Sequence, residues 1–125
     1  MSVLQTPTTR SADALVQGLF EIIDGGRWER LSDFFADDCV YSRPGYEQLV
    51  GLERLEHFYR NERGIASGRH HIKYVVSDLE AAACWGRFIG VGKDGSRLDE
   101  EFADTYSVRD GKIVERQTFF YRPAI

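Results

Sequence analysis

The chain has 125 residues, 42% hydrophobic and 29% charged, which fits one globular domain large enough to bury its core without disulfide bonds. A formal net charge of −4 without any basic run argues against nucleic acid or an anionic membrane as a partner. The N-terminus lacks an apolar run of signal-peptide length, and no segment approaches the roughly 20 apolar residues of a membrane span, so we predict a cytoplasmic protein.

The N-terminal part predicts an arm followed by a helix. Residues 1–10 read as a flexible arm, and residues 11–125 are assigned to a single domain. Ser11 is a suitable N-cap because its hydroxyl can accept a backbone N–H, and the apolar residues after it recur at helical spacing to about Asp24. The two glycines that follow are expected to end this helix.

Two further helices and one strand are predicted before the middle of the chain. The apolar and aromatic residues of segment 28–35 predict a short helix, and residues 39–42 predict a strand that Pro44 would break. Residues 51–64 predict a third helix. Its expected inner side carries Leu52, Leu55, Phe58 and Tyr59.

The second half of the chain predicts strands only, over residues 70–77, 81–92, 97–108 and 113–122. Tight turns between them make successive strands antiparallel. Helices followed by a long antiparallel sheet define the α+β class. A strongly curved sheet wrapped around the helices would leave a cone-shaped cavity between the two layers, and the 13% aromatic content suits the walls of such a pocket.

Three segments carry a resemblance to a known fold: GGRWERLSDFFADDCVYSRPG, GLERLEHFY and FADTYSVRDGKIVERQTFF. They resemble the nuclear transport factor 2-like fold and, within it, the branch of the ketosteroid isomerases and the SnoaL-type polyketide cyclases. The resemblance extends from about Ala12 to Tyr121. It implies a homodimer that pairs through the open face of the sheet, here the face with Phe119 and Tyr121.

The resemblance also implies roles for four residues. Asp104 matches a pocket carboxyl that stays protonated and donates to an oxyanion in the isomerases and is implicated as an acid or base in the cyclases. Tyr59 matches a tyrosine that supports the pocket. Arg116 and Phe120 match positions of the last strand that face the cavity.

Three positions depart from the pattern of these relatives. Arg43 stands where the isomerases have their catalytic carboxylate, and Leu19 or Phe20 stands where they have an oxyanion tyrosine. Thr118 lies near the position of an aspartate in epoxide hydrolases of the same fold. Steroid isomerisation by the usual pair of groups is therefore not expected, and an epoxide-opening reaction would lack one carboxylate.

The alternation of the strand over residues 97–108 supports an inward Asp104. Phe102, Asp104 and Tyr106 share one face of this strand. A carboxyl between two aromatic side chains would be desolvated, which raises its pKa and suits a general acid or a neutral hydrogen-bond donor. The alternative is a solvated carboxylate at the edge of the sheet.

Two arginines bear on the same pocket. Arg116 shares a strand face with Thr118 and Phe120, and if that face is inward, an ion pair with Asp104 would lower the carboxyl pKa instead of raising it. Arg43 at the pocket rim could stabilise an oxyanion or bind a carboxylate. The alternative interpretation is that Arg43 is a solvent-exposed arginine in a turn.

Among the histidines, His70 is the candidate general base. By alternation it shares the more apolar face with Ile72, Tyr74 and Val76, while His71 faces water. A structural histidine at this position is an equal alternative. No His, Cys and Asp spacing suggests a metal site, so neither a metal nor a cofactor is expected. Cys39 and Cys84 read as buried thiols in a reducing compartment.

The leading hypothesis is a cofactor-independent cyclase or isomerase that acts on an apolar polyketide-like intermediate or another secondary metabolite, as in antibiotic biosynthesis. Asp104 and His70 would be catalytic. The predicted substrate-binding residues are Arg43, Tyr59, Trp85, Arg87, Phe102, Tyr106, Arg116, Thr118 and Phe120.

Two alternatives remain open. One is a non-catalytic ligand-binding or dimerisation module, which a filled or absent cavity would favour. The other is an epoxide-opening hydrolase or cyclase, for which Glu62, Asp99 and Glu101 are the loose candidates for a second carboxylate.

Overall fold

A six-stranded sheet curves over the helices in the computed structural model, which describes residues 11–122. The elements are α1 (Ala12–Asp24), β1 (Phe35–Ser42), β2 (Leu49–Val50), α2 (Leu52–His57), β3 (Ile65–Ser77), β4 (Ala81–Gly92), β5 (Arg97–Arg109) and β6 (Lys112–Phe120). The strand order is β2-β1-β6-β5-β4-β3, and all neighbours are antiparallel except β1 and β6. The α+β class is confirmed, as is the antiparallel order of the last four strands. The predicted arm, residues 1–10, lies outside the described residues.

Helix α1 begins and ends as its sequence predicts. The Ser11 hydroxyl accepts the backbone N–H of Ala14 at 3.4 Å, and Gly25 caps the C-terminus. Gly26 follows with φ +67°, a backbone conformation that glycine adopts without strain. The apolar stripe of α1 is buried against the inner face of β3 and β4, so this helix closes one side of the core.

The region after α1 differs from its predicted form. Residues Trp28–Asp33 form a 3₁₀ helix, and β1 begins at Phe35 instead of residue 39. The early start follows from parallel pairing of β1 with β6, a long-range partner that local periodicity does not reveal. The pairing register shifts between Phe35 and Val40, and this irregularity leaves Asp37 and Asp38 exposed.

The predicted third helix is broken into two parts. Helix α2 ends at His57 and continues as a π-helical turn, Phe58–Glu62. Phe58 and Tyr59 are buried in this turn, as predicted, and it ends immediately before Arg63, whose side chain is also buried. A π-helical turn changes which side of the helix the next residues occupy, and such turns are frequent at functional sites.

Strand β3 contains an irregularity that reverses part of the predicted inner face. His70 points inward as predicted, but Tyr74 and Val76 are 55% and 54% exposed. The pairing with β4 shifts between Ile72 and Tyr74, so the alternation of side chains changes phase at that point. The prediction that Tyr74 and Val76 share the inner face with His70 is therefore wrong.

Gly86 marks a close approach between β3 and β4, and its replacement is expected to destabilise the fold. A Cβ atom at Gly86 would collide with the carbonyl oxygen of His71, which belongs to the backbone and cannot rotate away. We expect Gly86→Ala to lower the free energy of unfolding by about 1–3 kcal/mol in urea titrations. Gly64→Ala is the matched control, because a Cβ atom at Gly64 would meet no neighbouring atom within 4 Å. Equal stability of the two variants would contradict this account.

The outer face of the sheet carries exposed aromatic side chains, among them Tyr74, Trp85, Phe119 and Tyr121. The pairing of two subunits through this face stays a prediction that sedimentation analysis can check. Among the described residues, no helix is both long and apolar enough to cross a membrane.

Candidate functional site

Asp104 lies at the centre of a buried polar network on the inner face of the sheet. Its Oδ2 accepts hydrogen bonds from Nη2 of Arg116 at 2.8 Å and from the hydroxyl of Tyr106 at 2.7 Å. Its Oδ1 accepts from Oγ1 of Thr118 at 2.6 Å. The carboxyl is fully buried, and the predicted contact with Arg116 is confirmed as an ion pair. Because both oxygens already accept, the geometry disfavours the predicted role of Asp104 as a proton donor.

A second layer of hydroxyl groups surrounds this ion pair. The Tyr41 hydroxyl lies 2.7 Å from Oγ1 of Thr118, and Nη1 of Arg116 donates to the Tyr59 hydroxyl at 2.8 Å. Burial raises the pKa of Tyr59, and burial together with the Asp104 charge raises the pKa of Tyr106. Both phenols therefore remain protonated near neutral pH. Tyr41 was not among the predicted site residues, although it lies on β1 two residues before Arg43, a spacing that continues the alternation of the strand.

His70 and Asp24 form a pair at the other end of the same interior. Nδ1 of His70 lies 2.6 Å from Oδ1 of Asp24, and the His70 backbone N–H donates to Oδ2 at 2.9 Å. Since the carboxylate accepts, the Nδ1 atom carries the proton and Nε2 is left as an acceptor. Nε2 has no hydrogen-bond partner within residues 11–122. The imidazole packs against the rings of Phe20 and Phe88, with centroids at 4.5 and 4.7 Å.

Burial lowers the pKa of His70, and the hydrogen bond and charge of Asp24 offset this effect only in part. The charges of Arg63 and Arg116 act in the same direction as burial. His70 is therefore neutral near neutral pH, which is the state in which Nε2 can accept a proton. Asp24 could not be found from the sequence because it is the last residue of α1 and meets β3 only in the folded chain.

This lowered pKa predicts a specific loss of stability in acid. An unfolded chain protonates His70 near 6.5, before the folded protein does, so the free energy of unfolding should fall as pH decreases from about 6.5 through the lower folded value. His70→Asn should remove that part of the pH dependence, because its amide can still donate to Asp24 but does not titrate. Urea unfolding from about pH 5 to 8 measures both slopes. Identical slopes for the two proteins would contradict the assignment.

A small cavity brings these groups together. It has a volume of about 20 Å³, room for roughly one water molecule. The residues that line it are Arg43, Arg63, Ile65, His70, Phe88, Phe102, Asp104, Arg116, Thr118 and Phe120. Arg63, Ile65 and Phe88 were not among the predicted site residues. Tyr59 and Tyr106 adjoin the cavity through their hydrogen bonds to the ion pair.

Arg43 lies between this cavity and the surface. Its guanidinium carbon is 5.3 Å from the ring centroid of Phe120 and 5.7 Å from that of Phe58. Nη1 also donates to the Tyr41 hydroxyl at 3.4 Å, the long end of hydrogen-bond range. A surface groove of about 350 Å³ contacts the outer side of Arg43 and Thr118. The side chain is half-buried among aromatic rings, so the reading of Arg43 as a solvent-exposed turn arginine is wrong.

Two predicted substrate-binding residues lie on the outer face of the sheet. Trp85 is 40% exposed and packs against Tyr74, with ring centroids 5.2 Å apart. Arg87 forms an exposed ion pair with Asp99 at 2.6 Å. Alternation along β4 turns Cys84 and Phe88 inward and therefore directs Trp85 and Arg87 away from the cavity.

Other predicted groups also lie outside the cavity. Glu62 forms an ion pair with Arg54, and Glu101 is exposed, so neither provides a second carboxylate in the cavity. Both cysteines are buried thiols; burial raises the pKa of Cys39 to about 11 and that of Cys84 to about 12. Within the described chain, no cluster of three or more His, Cys, Asp or Glu side chains could hold a metal ion.

Solved structures share this fold at low sequence identity. A proposed SnoaL-like polyketide cyclase from Jannaschia sp. CCS1 is 15% identical, with a TM-score of 0.77 over 96% of this chain and 92% of the other. An LEH-like epoxide hydrolase from M. tuberculosis is 19% identical, with a TM-score of 0.77 over 91% and 85%. A protein with a ketosteroid isomerase-like fold from Catenulispora acidiphila DSM 44928, in complex with trimethylamine, is 16% identical, with a TM-score of 0.75 over 88% and 86%.

These neighbours share the fold but differ in the activities that they are named for, as expected for a fold that hosts many chemistries. Among curated proteins, none matches the chain. The family model of the SnoaL-like domain matches residues 16–116, which include most of α1, strands β1 to β5, the first half of β6 and every cavity residue except Thr118 and Phe120. The chain therefore belongs to the SnoaL-like domain family.

Proposed function

We propose that the protein is a cofactor-independent enzyme that moves a proton at a carbon next to a carbonyl group. The outcome would be cyclisation or isomerisation of a small, mostly apolar molecule, such as a polyketide-like intermediate. The observation that carries the proposal is His70, which is hydrogen-bonded to Asp24 and lines the same cavity as Arg116. The SnoaL-like family and the cyclase named among its structural neighbours support the choice of reaction class.

His70 is the general base in this proposal. Asp24 holds its Nδ1–H and backbone N–H, which orients Nε2, and the low pKa keeps the imidazole neutral. A positioned general base contributes about 100- to 10,000-fold to rate. The rings of Phe20 and Phe88 pack against the imidazole and leave it only 10% exposed, and this partial desolvation strengthens electrostatic interactions in the site.

Arg116 would stabilise negative charge that develops on the carbonyl oxygen. Asp104 fixes the guanidinium through Nε and Nη2, and this preorganisation is what makes such a group effective in a transition state. Asp104 is then a positioning residue that acts through Arg116. Tyr41 and Thr118 continue the donor network toward Arg43 at the mouth.

The substrate would enter beside Arg43. The cavity as it stands is far smaller than the 300–1,000 Å³ typical of ligand pockets, so binding has to open it. The groove beyond Arg43 borders the segment 43–48, in which Gly45 has φ +86°. Movement of this segment would join the groove to the cavity, and a site that folds a flexible substrate into a reactive shape gains rate from that alignment alone.

A second candidate function, a non-catalytic ligand-binding or dimerisation module, is favoured by one observation, the volume of about 20 Å³. The epoxide-opening alternative is less supported. This reaction needs a second carboxylate near the first. Asp104 is the single acidic residue among the described residues that line the cavity, and the carboxylate of Asp24 is hydrogen-bonded to His70.

Solvent deuterium exchange tests the proposed function. The protein is incubated in D₂O with 2-tetralone and with 2-tetralone that carries a ring carboxylate, and proton NMR follows the hydrogens next to the carbonyl. We expect catalysed exchange of at least one of these ketones. Ketones that bind and shift protein resonances without any catalysed exchange would favour the non-catalytic module instead.

A further inference from the structure

The cavity carries more cationic than acidic side chains. Three guanidinium groups line it, those of Arg43, Arg63 and Arg116, against one carboxylate, that of Asp104. Asp104 already accepts from Arg116, Thr118 and Tyr106 through both of its oxygens. Asp104 therefore accepts no hydrogen bond from Arg63 among the described contacts.

Arg63 is the unusual member of this set. Its relative exposure is only 7%, and its Nε is buried without a hydrogen-bond partner among residues 11–122. The contacts of its guanidinium are with aromatic faces, 5.4 Å from the ring centroid of Tyr59 and 6.0 Å from that of Trp28. Burial lowers its pKa, and the charge of Arg43 acts in the same direction against the opposing effect of Tyr59. A buried cation without a counter-charge is costly to the fold.

The surroundings of Arg63 define what could complete it. Ile65, Phe88 and Phe102 supply apolar walls. The space of about 20 Å³ holds roughly one water molecule, so a carboxylate enters only when the cavity opens, as it must for the proposed substrate. A guanidinium fork matches the planar geometry of a carboxylate. A small anionic group in this position would satisfy the buried Nε–H, which an apolar or a cationic group would not.

We propose that Arg63 binds a carboxylate group of the substrate, so that the substrate class is a carbonyl compound bearing a carboxylate rather than a wholly apolar ketone. The identification of the ligand as a substrate rests on the proposed function, but the binding of a carboxylate by Arg63 does not depend on catalysis. The carboxylate anchors the molecule in the cavity that His70 and Arg116 also line, and the rest of the molecule extends toward the groove beside Arg43.

A titration with acetate and its neutral isostere acetamide tests the site. The probe is the Nε–H signal of Arg63 in proton–nitrogen NMR spectra of the whole chain, assigned by its loss in Arg63→Lys, with sodium chloride at matched ionic strength as the reference. We expect acetate to shift this signal and to bind at least about tenfold more tightly than acetamide, because hydrogen bonds between charged groups are the stronger ones. Equal binding of the two, or no shift by either, would overturn the proposal.

Two variants separate local binding from general effects of charge. Arg63→Met should weaken acetate binding, followed through backbone amide signals, by about tenfold or more and leave acetamide unaffected. It should also melt at the same or a higher temperature in anion-free buffer, because it removes an uncompensated buried charge. Arg60 is an exposed arginine on the π-helical turn that precedes Arg63, so Arg60→Met is the matched control and should bind acetate as the wild type does. Equal loss of acetate affinity in both variants would overturn the proposal. If Arg63→Met does not fold, the comparison of acetate with acetamide in the wild type decides the test.

His70→Asn separates this inference from the proposed function. It leaves every guanidinium of the cavity in place, so acetate binding should persist within about twofold while proton exchange is lost. If the wild type binds acetate but catalyses no hydrogen exchange in either ketone, the carboxylate site is supported and the proposed catalysis is contradicted. Ketone exchange without preference for the carboxylated 2-tetralone, together with no acetate binding, would remove the carboxylate site alone.

Discussion

Arg116→Met is expected to destabilise the protein by about 3–5 kcal/mol, because it leaves the carboxylate of Asp104 buried without its ion-pair partner. Both side chains are almost completely inaccessible, and the pair is joined by two hydrogen bonds to one carboxylate oxygen. Chemical unfolding in urea measures the change. The loss should exceed the contribution of the ion pair itself, since most of it is the cost of an uncompensated buried charge.

The same type of ion pair on the opposite face of the sheet is the matched control. Arg87 and Asp99 are 2.6 Å apart but exposed, so Arg87→Met should cost no more than about 1 kcal/mol. The double variant Asp104→Asn with Arg116→Met removes both charges and should recover most of the stability lost in Arg116→Met. Similar losses for the buried and the exposed pair, or no recovery in the double variant, would show that burial of the charge is not the cause.

His70→Asn is expected to lower the rate of ketone exchange by about 100- to 10,000-fold, the range attributed to a positioned general base. The asparagine amide can still donate to Asp24, so the local hydrogen bond and the fold should persist while the proton acceptor Nε2 is removed. Initial rates at several ketone concentrations separate the effect on kcat from that on KM. A structural histidine would change stability and leave kcat nearly intact.

Asp24→Asn provides a second readout on the same pair. Asp24 raises the pKa of His70, so its loss should move the acid limb of the kcat/KM profile to lower pH. A smaller loss of kcat than in His70→Asn is expected, because the base itself remains and only its orientation is weakened. An unchanged acid limb would mean that the titrating group is not His70.

Much of the fold was predictable because its signals are local. The caps of α1 and the tight turns that connect β3 to β4, β4 to β5 and β5 to β6 are each encoded by a few neighbouring residues. Strand β4 has the predicted bounds, and β5 and β6 differ from theirs by no more than a few residues. The parallel pairing of β1 with β6 was not predicted, because it joins segments far apart along the chain. Strand β2 was not predicted because two residues are too few to show an alternating pattern.

The inner faces of β5 and β6 were also predictable, since alternation determines them. Phe102, Asp104 and Tyr106 are buried together, and so are Arg116 and Thr118. The same rule failed on β3, where the register shift after Ile72 exposes Tyr74. Trp85 and Arg87 were predicted to bind substrate, and this placement is wrong, because the alternation of β4 directs both side chains to the outer face.

The sequence by itself determined the fold class, the resemblance to SnoaL-like proteins and the identity of the residues Asp104, Arg116 and His70 as inward candidates. The tertiary structure decided their roles. Asp104 became the acceptor of an ion pair because Arg116 lies diagonally across from it on the neighbouring strand. His70 became the better base because the last residue of α1 reaches it across 46 positions of sequence. Arg63 entered the cavity because a π-helical turn precedes it. Hydrogen-bond partners and desolvation depend on contacts between distant segments, which no local pattern encodes.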